Sequence, residues 1–206
     1  MGKLILQEGR KYTFSDYFEL ANPTEDIAEA LGYSFETKIL QLPTAANAES
    51  MNIAAMRQIF YETLPKIVLT SEIAKRDFMI APVLWEVIRH VNAKIFVEYP
   101  LVVDDKLSGS CDYLLRSARQ LVVIEAKKGD LERGFNQLAA ELIALDKQET
   151  EHSAEIFYGA VSIGELWRFA VLDRSKKHLC KDLHTYRIPE DLEDVFLIIL
   201  GMLQAK

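Results

Sequence analysis

The chain has 206 residues, 50% of them hydrophobic and 27% charged, with a formal net charge of -7. That length and balance predict a single soluble domain with a sizeable core. The acidic excess is spread evenly along the chain and argues against a general nucleic-acid binder, since phosphate neutralisation dominates such affinity; a local patch or a bound cation can still supply the field.

Thr24 to Gly32 reads as a short helix with a start signal and a glycine stop. A partly alternating stretch follows over 33–42, and 42–47 carries the best boundary signal. This divides the chain into a mostly helical N-terminal extension, 1–65, packing on a core of 66–206. Residues 49–64 space Met51, Ala54, Ala55, Ile59 and Phe60 on one helical face. A longer helix is expected over 70–91, with Ser71 as N-cap. Ile73, Phe78, Ile80, Ala81, Leu84, Val87 and Ile88 would form its buried stripe, and Pro82 should kink or split it.

Strands are expected over 94–103, 110–115 and 120–126, then a helix over 131–148. Further strands follow over 155–162, 166–172 and 181–187, and Pro189 fits the first turn of a final helix. That order predicts an α/β sandwich around a central mixed sheet flanked by helices. The final helix carries Val195, Phe196, Ile199, Leu200 and Leu203, either an ordinary core face or a dimer face. Its apolar run over 195–203 is far short of the roughly 20 residues that span a membrane. With no signal peptide evident, a cytoplasmic location is expected and no membrane partner. Cys111 and Cys180 stand apart with no metal-type spacing and read as small core residues. The histidines, His90, His152, His178 and His184, have no ligand spacing and read as structural or exposed, and Trp85 and Trp167 as packing residues.

The chemistry concentrates in two runs. In Gly109-Ser110-Cys111-Asp112-Tyr113-Leu114-Leu115 an acid sits on an apolar strand, and Leu121-Val122-Val123-Ile124-Glu125-Ala126-Lys127 ends in a second acid with a lysine two positions on. A short turn between antiparallel neighbours would bring Asp112 beside Glu125, and Lys127 would share the face of Glu125. Acid-x-Lys also occurs at Glu36-Thr37-Lys38 and Asp104-Asp105-Lys106, but only Glu125 follows four consecutive apolar residues, the mark of a buried central strand. Two carboxylates with the Ala126 carbonyl offer the hard oxygen donors that Mg²⁺ prefers. Lys127 could position a water or stabilise developing negative charge.

This arrangement resembles the PD-(D/E)XK nuclease superfamily, which includes restriction endonucleases and RecB-like nuclease domains; the resemblance covers residues 71–145. Asp112 matches the first acid, with Gly109 placed as in a Gly-x-x-Asp variant, and Glu125 and Lys127 match the Glu-x-Lys element. The glutamine that RecB-like members carry on the next helix corresponds to Gln137; their following tyrosine is Glu141 here. A further glutamate before the core strands is met by Glu72, with Glu86 and Glu98 as other candidates.

The resemblance implies a restriction endonuclease-like core and Mg²⁺- or Mn²⁺-dependent hydrolysis of nucleic acid, DNA foremost. Asp112, Glu125 and Lys127, with Gln137, would be catalytic; Asp112, Glu125, Ala126 and Glu72 would hold the metal. The alternative is an inactive nuclease fold kept as a binding or assembly module, as a homodimer or with a protein partner. Lys128, Arg133, Lys176 and Lys177 are candidate phosphate contacts, although lysines on a solvated face are the commoner case.

Overall fold

The structure, a computed structural model, describes residues 5–46, 52–127 and 129–205. Eight strands form one mixed sheet in the order β1-β7-β6-β5-β4-β3-β2, with β8 pairing β6. They are β1 (Ser34–Lys38), β2 (Ala93–Val102), β3 (Ser108–Ser117), β4 (Leu121–Ala126), β5 (Ile156–Ser162), β6 (Leu166–Asp173), β7 (His178–Asp182) and β8 (Tyr186–Arg187). The α-helices are α1 (Phe14–Glu19), α2 (Thr24–Ala30), α3 (Ile53–Thr63), α4 (Glu72–Lys75), α5 (Ala81–Arg89), α6 (Leu131–Gln148) and α7 (Leu192–Gln204). The chain is therefore α/β, with helices on both faces of a mixed sheet.

Strands β2, β3 and β4 form an antiparallel meander. Its first turn is closed by Asp104 Oδ1, which accepts from the Lys106 and Leu107 amides at 2.8 and 2.9 Å. Strand β4 is buried at every position, as its continuous apolar run demands. It pairs in parallel with β5, so the chain must cross over between them, and α6 is that crossover. Asp130 caps α6 by accepting from the Arg133 amide at 3.0 Å.

Two apolar clusters fill the layers. On one face Leu138, Leu142 and Leu145 of α6 pack with Tyr17, Ile27 and Val123. On the other, Val83 and Leu84 of α5 meet Val195, Phe196 and Ile199 of α7 over Ile124 and Phe169. The described part of 1–65 is built into this body. β1 is an edge strand of the sheet, parallel to β7. Tyr17 Oη donates to the Lys106 carbonyl at 2.7 Å, and Tyr33 Oη to Asp146 at 2.7 Å.

Four expectations are revised. The helix over 70–91 begins with Ser71 as N-cap, accepting from the Ala74 amide, but passes through a π-helical turn, Arg76–Ile80, before Pro82 opens α5. A proline inside a regular helix would clash with the carbonyl four residues back. The wide turn shifts the helical phase, leaving Ile73 and Phe78 exposed and burying Met79 and Val83 instead. Trp85 is carried outward with them.

The strand over 181–187 is two strands. Asp182 Oδ1 accepts from the Leu40 and His184 amides and turns the chain out of the ladder between β7 and β8. Pro189 lies in a turn before α7, whose N-cap is Asp191. The apolar face of α7 is core, since Val195, Phe196, Ile199, Leu200 and Leu203 are all buried, which removes it as a dimer surface. Met51 and Asn47 lie outside the described residues. Among the described residues no helix is long and apolar enough to cross a membrane.

Helix α6 lies close against β5 at Gly134, where an added Cβ would stand 2.5 Å from Val161 Cγ1 and 3.4 Å from Lys127 Cγ. Gly134→Ala should therefore destabilise the fold. The overpacking cost of about 1–3 kcal/mol outweighs a helix-propensity gain of roughly 1 kcal/mol. Urea denaturation checks this against Gly129→Ala, where nothing lies within 4 Å of an added Cβ and stability should hold.

Candidate functional site

The β3–β4 ladder sets Tyr113 opposite Ile124, and one step further the same register sets Asp112 opposite Glu125. There the ladder ends, and the Asp112 side chain takes over: its Oδ2 accepts the Ala126 amide at 2.8 Å. The spacing in the sequence thus produces the expected juxtaposition. Gly109, on the approach to Asp112, has φ +143, and a Cβ there would meet Phe14 Cδ2 at 2.9 Å. Its place in the motif is a packing requirement of α1 on β3.

Glu125 is 1% exposed and turns toward α6. The close approach at Gly134 puts Gln137 within reach, and Gln137 Nε2 donates to Glu125 Oε1 at 2.7 Å. The same oxygen is ion-paired with the Lys127 ammonium. The Gln137 amide also donates to Glu141 Oε1 at 2.8 Å, so one amide bridges two carboxyl groups. Glu125 Oε2 and Glu141 Oε2 are buried with no hydrogen-bond partner.

Burial is the main force raising Glu125, the Asp112 charge adds to it, and Lys127 opposes both; the result is about 7. Burial, then the charge of Glu125, pushes Glu141 well above the usual carboxylate range. Two buried acids beside one lysine would leave excess negative charge in a low dielectric, and a retained proton relieves it. For Lys127, burial acts to lower the pKa, but Glu125 outweighs it, helped by Glu72 and Asp112; the net shift is upward and the group stays an ammonium. It also lies 5.4 Å from the Phe18 ring centroid. Glu72, in the first turn of α4, is thus brought to the Lys127 side of the site.

Arg76, in the π-helical turn, pairs with Asp112 Oδ1 at 3.0 Å and reaches Glu98 Oε1 at 3.8 Å. Glu98 stands opposite Asp112 in the β2–β3 register and holds φ +53 inside a strand, a conformation that costs on the order of 1–3 kcal/mol. Glu86 is engaged elsewhere, with Arg89 Nη1 at 2.6 Å and His90 Nε2 at 3.0 Å. Of the three glutamates, Glu72 and Glu98 therefore border the site and Glu86 does not join it.

The basic candidates divide. Arg133, exposed in the first turn of α6, lies 3.4 Å from Asp130 and lines a cavity of about 310 Å³ with Asn22, Thr24 and Asn136. Lys128 lies outside the described residues. Lys176 and Lys177 sit in the β6–β7 hairpin, level with Ile156, whereas Ala126 is level with Ser162 at the other end of β5. Strand reversal therefore places this hairpin at the sheet end remote from Glu125, where Lys176 pairs with Asp173 at 2.6 Å. Besides Lys127, Arg76 and Arg133, the near end carries Arg168 and Lys181, each 2.5 Å from Glu132.

Sequence reasoning missed Arg76, the place of Glu141 as the second carboxyl bound by the Gln137 amide, and the Arg168–Glu132–Lys181 cluster. Glu141 had a signal, an acid one helical turn beyond Gln137; the others depend on contacts across elements. Asp112 and Glu125 offer oxygens, the donor type a hard divalent cation takes; Asp112 Oδ1 is held by Arg76 and Oδ2 by the Ala126 amide, while Glu125 Oε2 is buried without a hydrogen-bond partner. Neither protein-family models nor curated proteins give a match to this chain.

The raised acids give a signed pH dependence in metal-free protein. A carboxyl with a raised folded-state pKa contributes stability that is full below its unfolded value near 4.5 and is lost as pH rises through about 7. Glu141→Gln keeps the shape and removes one of the two acids. It should raise the urea midpoint more at pH 8 than at pH 5, measured with a chelator present.

Proposed function

We propose that this chain is a metal-dependent nuclease-like protein with a restriction endonuclease-like core, hydrolysing phosphodiester bonds of nucleic acid. The observation that carries this reading is Asp112 facing Glu125 at the end of the central β3–β4 pair, with the Lys127 ammonium on Glu125. Asp112, Glu125, the Ala126 carbonyl and Glu72 would hold Mg²⁺ or Mn²⁺. Such an ion would neutralise charge on the scissile phosphate and acidify its water.

The chain's own groups do the rest. Gln137 holds Glu125 by Oε1 and leaves Oε2 uncommitted. Lys127 presents a fixed positive charge toward an incoming water or developing oxyanion. Arg76 neutralises Asp112 in the metal-free chain, and Arg133 offers a phosphate contact at the rim. With a net charge of -7, substrate binding falls to such local cations and to the metal. DNA is the substrate class we place first.

One observation favours a second reading, an inactive nuclease-fold binding or assembly module. Arg76 and Lys127 already neutralise Asp112 and Glu125 within the chain, as a purely structural ion-pair network would.

Titration with Mn²⁺ and Mg²⁺, run beside cleavage of single- and double-stranded DNA and RNA, separates the two readings. The nuclease reading expects metal-dependent cleavage that falls by about 100-fold or more in Asp112→Ala, Glu125→Ala and Lys127→Ala, with metal binding lost in Glu125→Ala. Full activity in all three variants would sink it. A folded wild type that binds neither ion leaves the module.

A further inference from the structure

The far edge of the sheet carries a second group of metal-ligating side chains, made of different donors. In the parallel β1–β7 pair, Glu36 stands opposite Cys180 and Ser34 opposite His178. Residues two apart on a strand share a face, and so do cross-strand partners. Glu36, His178 and Cys180 therefore converge, each offering one ligand atom, and these atoms lie within 4.8 Å of one another. The next residue, Lys181, points to α6, with its ammonium 5.3 Å from the Phe135 ring centroid. Cys180 thus lies on the opposite face of the sheet from Glu125, three strands away.

The histidine is already oriented. Ser34 Oγ lies 2.7 Å from His178 Nδ1, which fixes the ring and turns Nε2 toward Glu36, 3.5 Å from its Oε2. A partner on the remote ring nitrogen is the usual support of a metal-binding imidazole. We propose that Glu36, His178 and Cys180 form a binding site for a zinc-class divalent ion, with solvent completing the coordination.

A thiolate, an imidazole and a carboxylate suit Zn²⁺, whereas the all-oxygen set at Asp112 and Glu125 suits Mg²⁺ or Mn²⁺. Tetrahedral zinc, with bonds of about 2.0–2.3 Å, sets its ligand atoms roughly 3.3–3.8 Å apart. The cluster reaches that spacing by closing about 1 Å, within the range of side-chain adjustment. Lys38 Nζ, 2.8 Å from Glu36 Oε2, is the cation the metal must displace. Being on an exposed side chain, it can swing to solvent. Binding releases the thiol proton and fastens the edge strand β1 to β7, and so ties the N-terminal segment to the sheet.

Cobalt(II) titration of the reduced full chain tests this, because thiolate ligation produces a sulfur-to-metal charge-transfer band. One cobalt per chain should bind with that band, and zinc should displace it. Cys180→Ser should abolish the band, His178→Gln should weaken binding at least about 10-fold, and Ser34→Ala about 10-fold through the freed ring. Cys111→Ala and Glu125→Ala should keep the band, which separates this site from the acidic one. Lys38→Met should tighten binding. No charge-transfer band in wild type, a band surviving in Cys180→Ser, or unchanged affinity in His178→Gln would overturn the proposal.

Discussion

The hydrogen bond from the Ala126 amide to Asp112 Oδ2 is the contact on which the acidic site depends. It forms where the β3–β4 ladder runs out, so a side chain replaces the backbone carbonyl that the next rung would have supplied. An unpaired amide at the end of a buried strand would be costly, which ties Asp112 to β4 whether or not a metal is present. The same bond fixes where Glu125 and Lys127 stand, one residue to either side of Ala126. From there α6 decides the rest. It crosses over β4 and β5, comes close at Gly134, and so presents Gln137 and Glu141 to Glu125.

Charge balance in this corner is local. Asp112 is matched by Arg76 and Glu125 by Lys127, leaving Glu141 buried with an amide as its donor. The upward shifts of Glu125 and Glu141 follow from that shortage of cations. A buried carboxyl near 7 is poised to change charge with its surroundings, as groups at functional sites tend to be. The strained backbone at Glu98, opposite Asp112, points to the same corner, since such strain persists where surrounding structure holds it.

At the β1 edge of the sheet, β1 pairs with β7 alone and would be a weakly held strand. Its side chains there are polar and convergent, and Asp182 secures the exit of β1 by accepting the Leu40 amide at 3.1 Å. The interior and the β1 edge of the sheet thus carry chemically distinct clusters, hard oxygens at β3–β4 and mixed nitrogen, oxygen and sulfur donors at β1–β7.

Local pattern was enough to locate most elements. Unbroken apolarity marked β4, and the thirteen-residue spacing between Asp112 and Glu125 set them face to face. These features are legible because period and turn length act within a few residues. The π-helical turn was not, because the phase of a helix past a proline is settled by what its sides pack against, and that choice exposed Ile73 and buried Met79. Nor was the placement of Lys176 and Lys177, since the end of a sheet on which a hairpin falls depends on strand order. Arg76 on Asp112, Glu141 beside Glu125 and Cys180 beside Glu36 join residues far apart in the chain. By itself the sequence determined where most strands and helices lie and which acids meet across one tight turn. Only the tertiary structure decided which cations and further acids surround them, because those contacts are made by elements brought together by burial of the shared core.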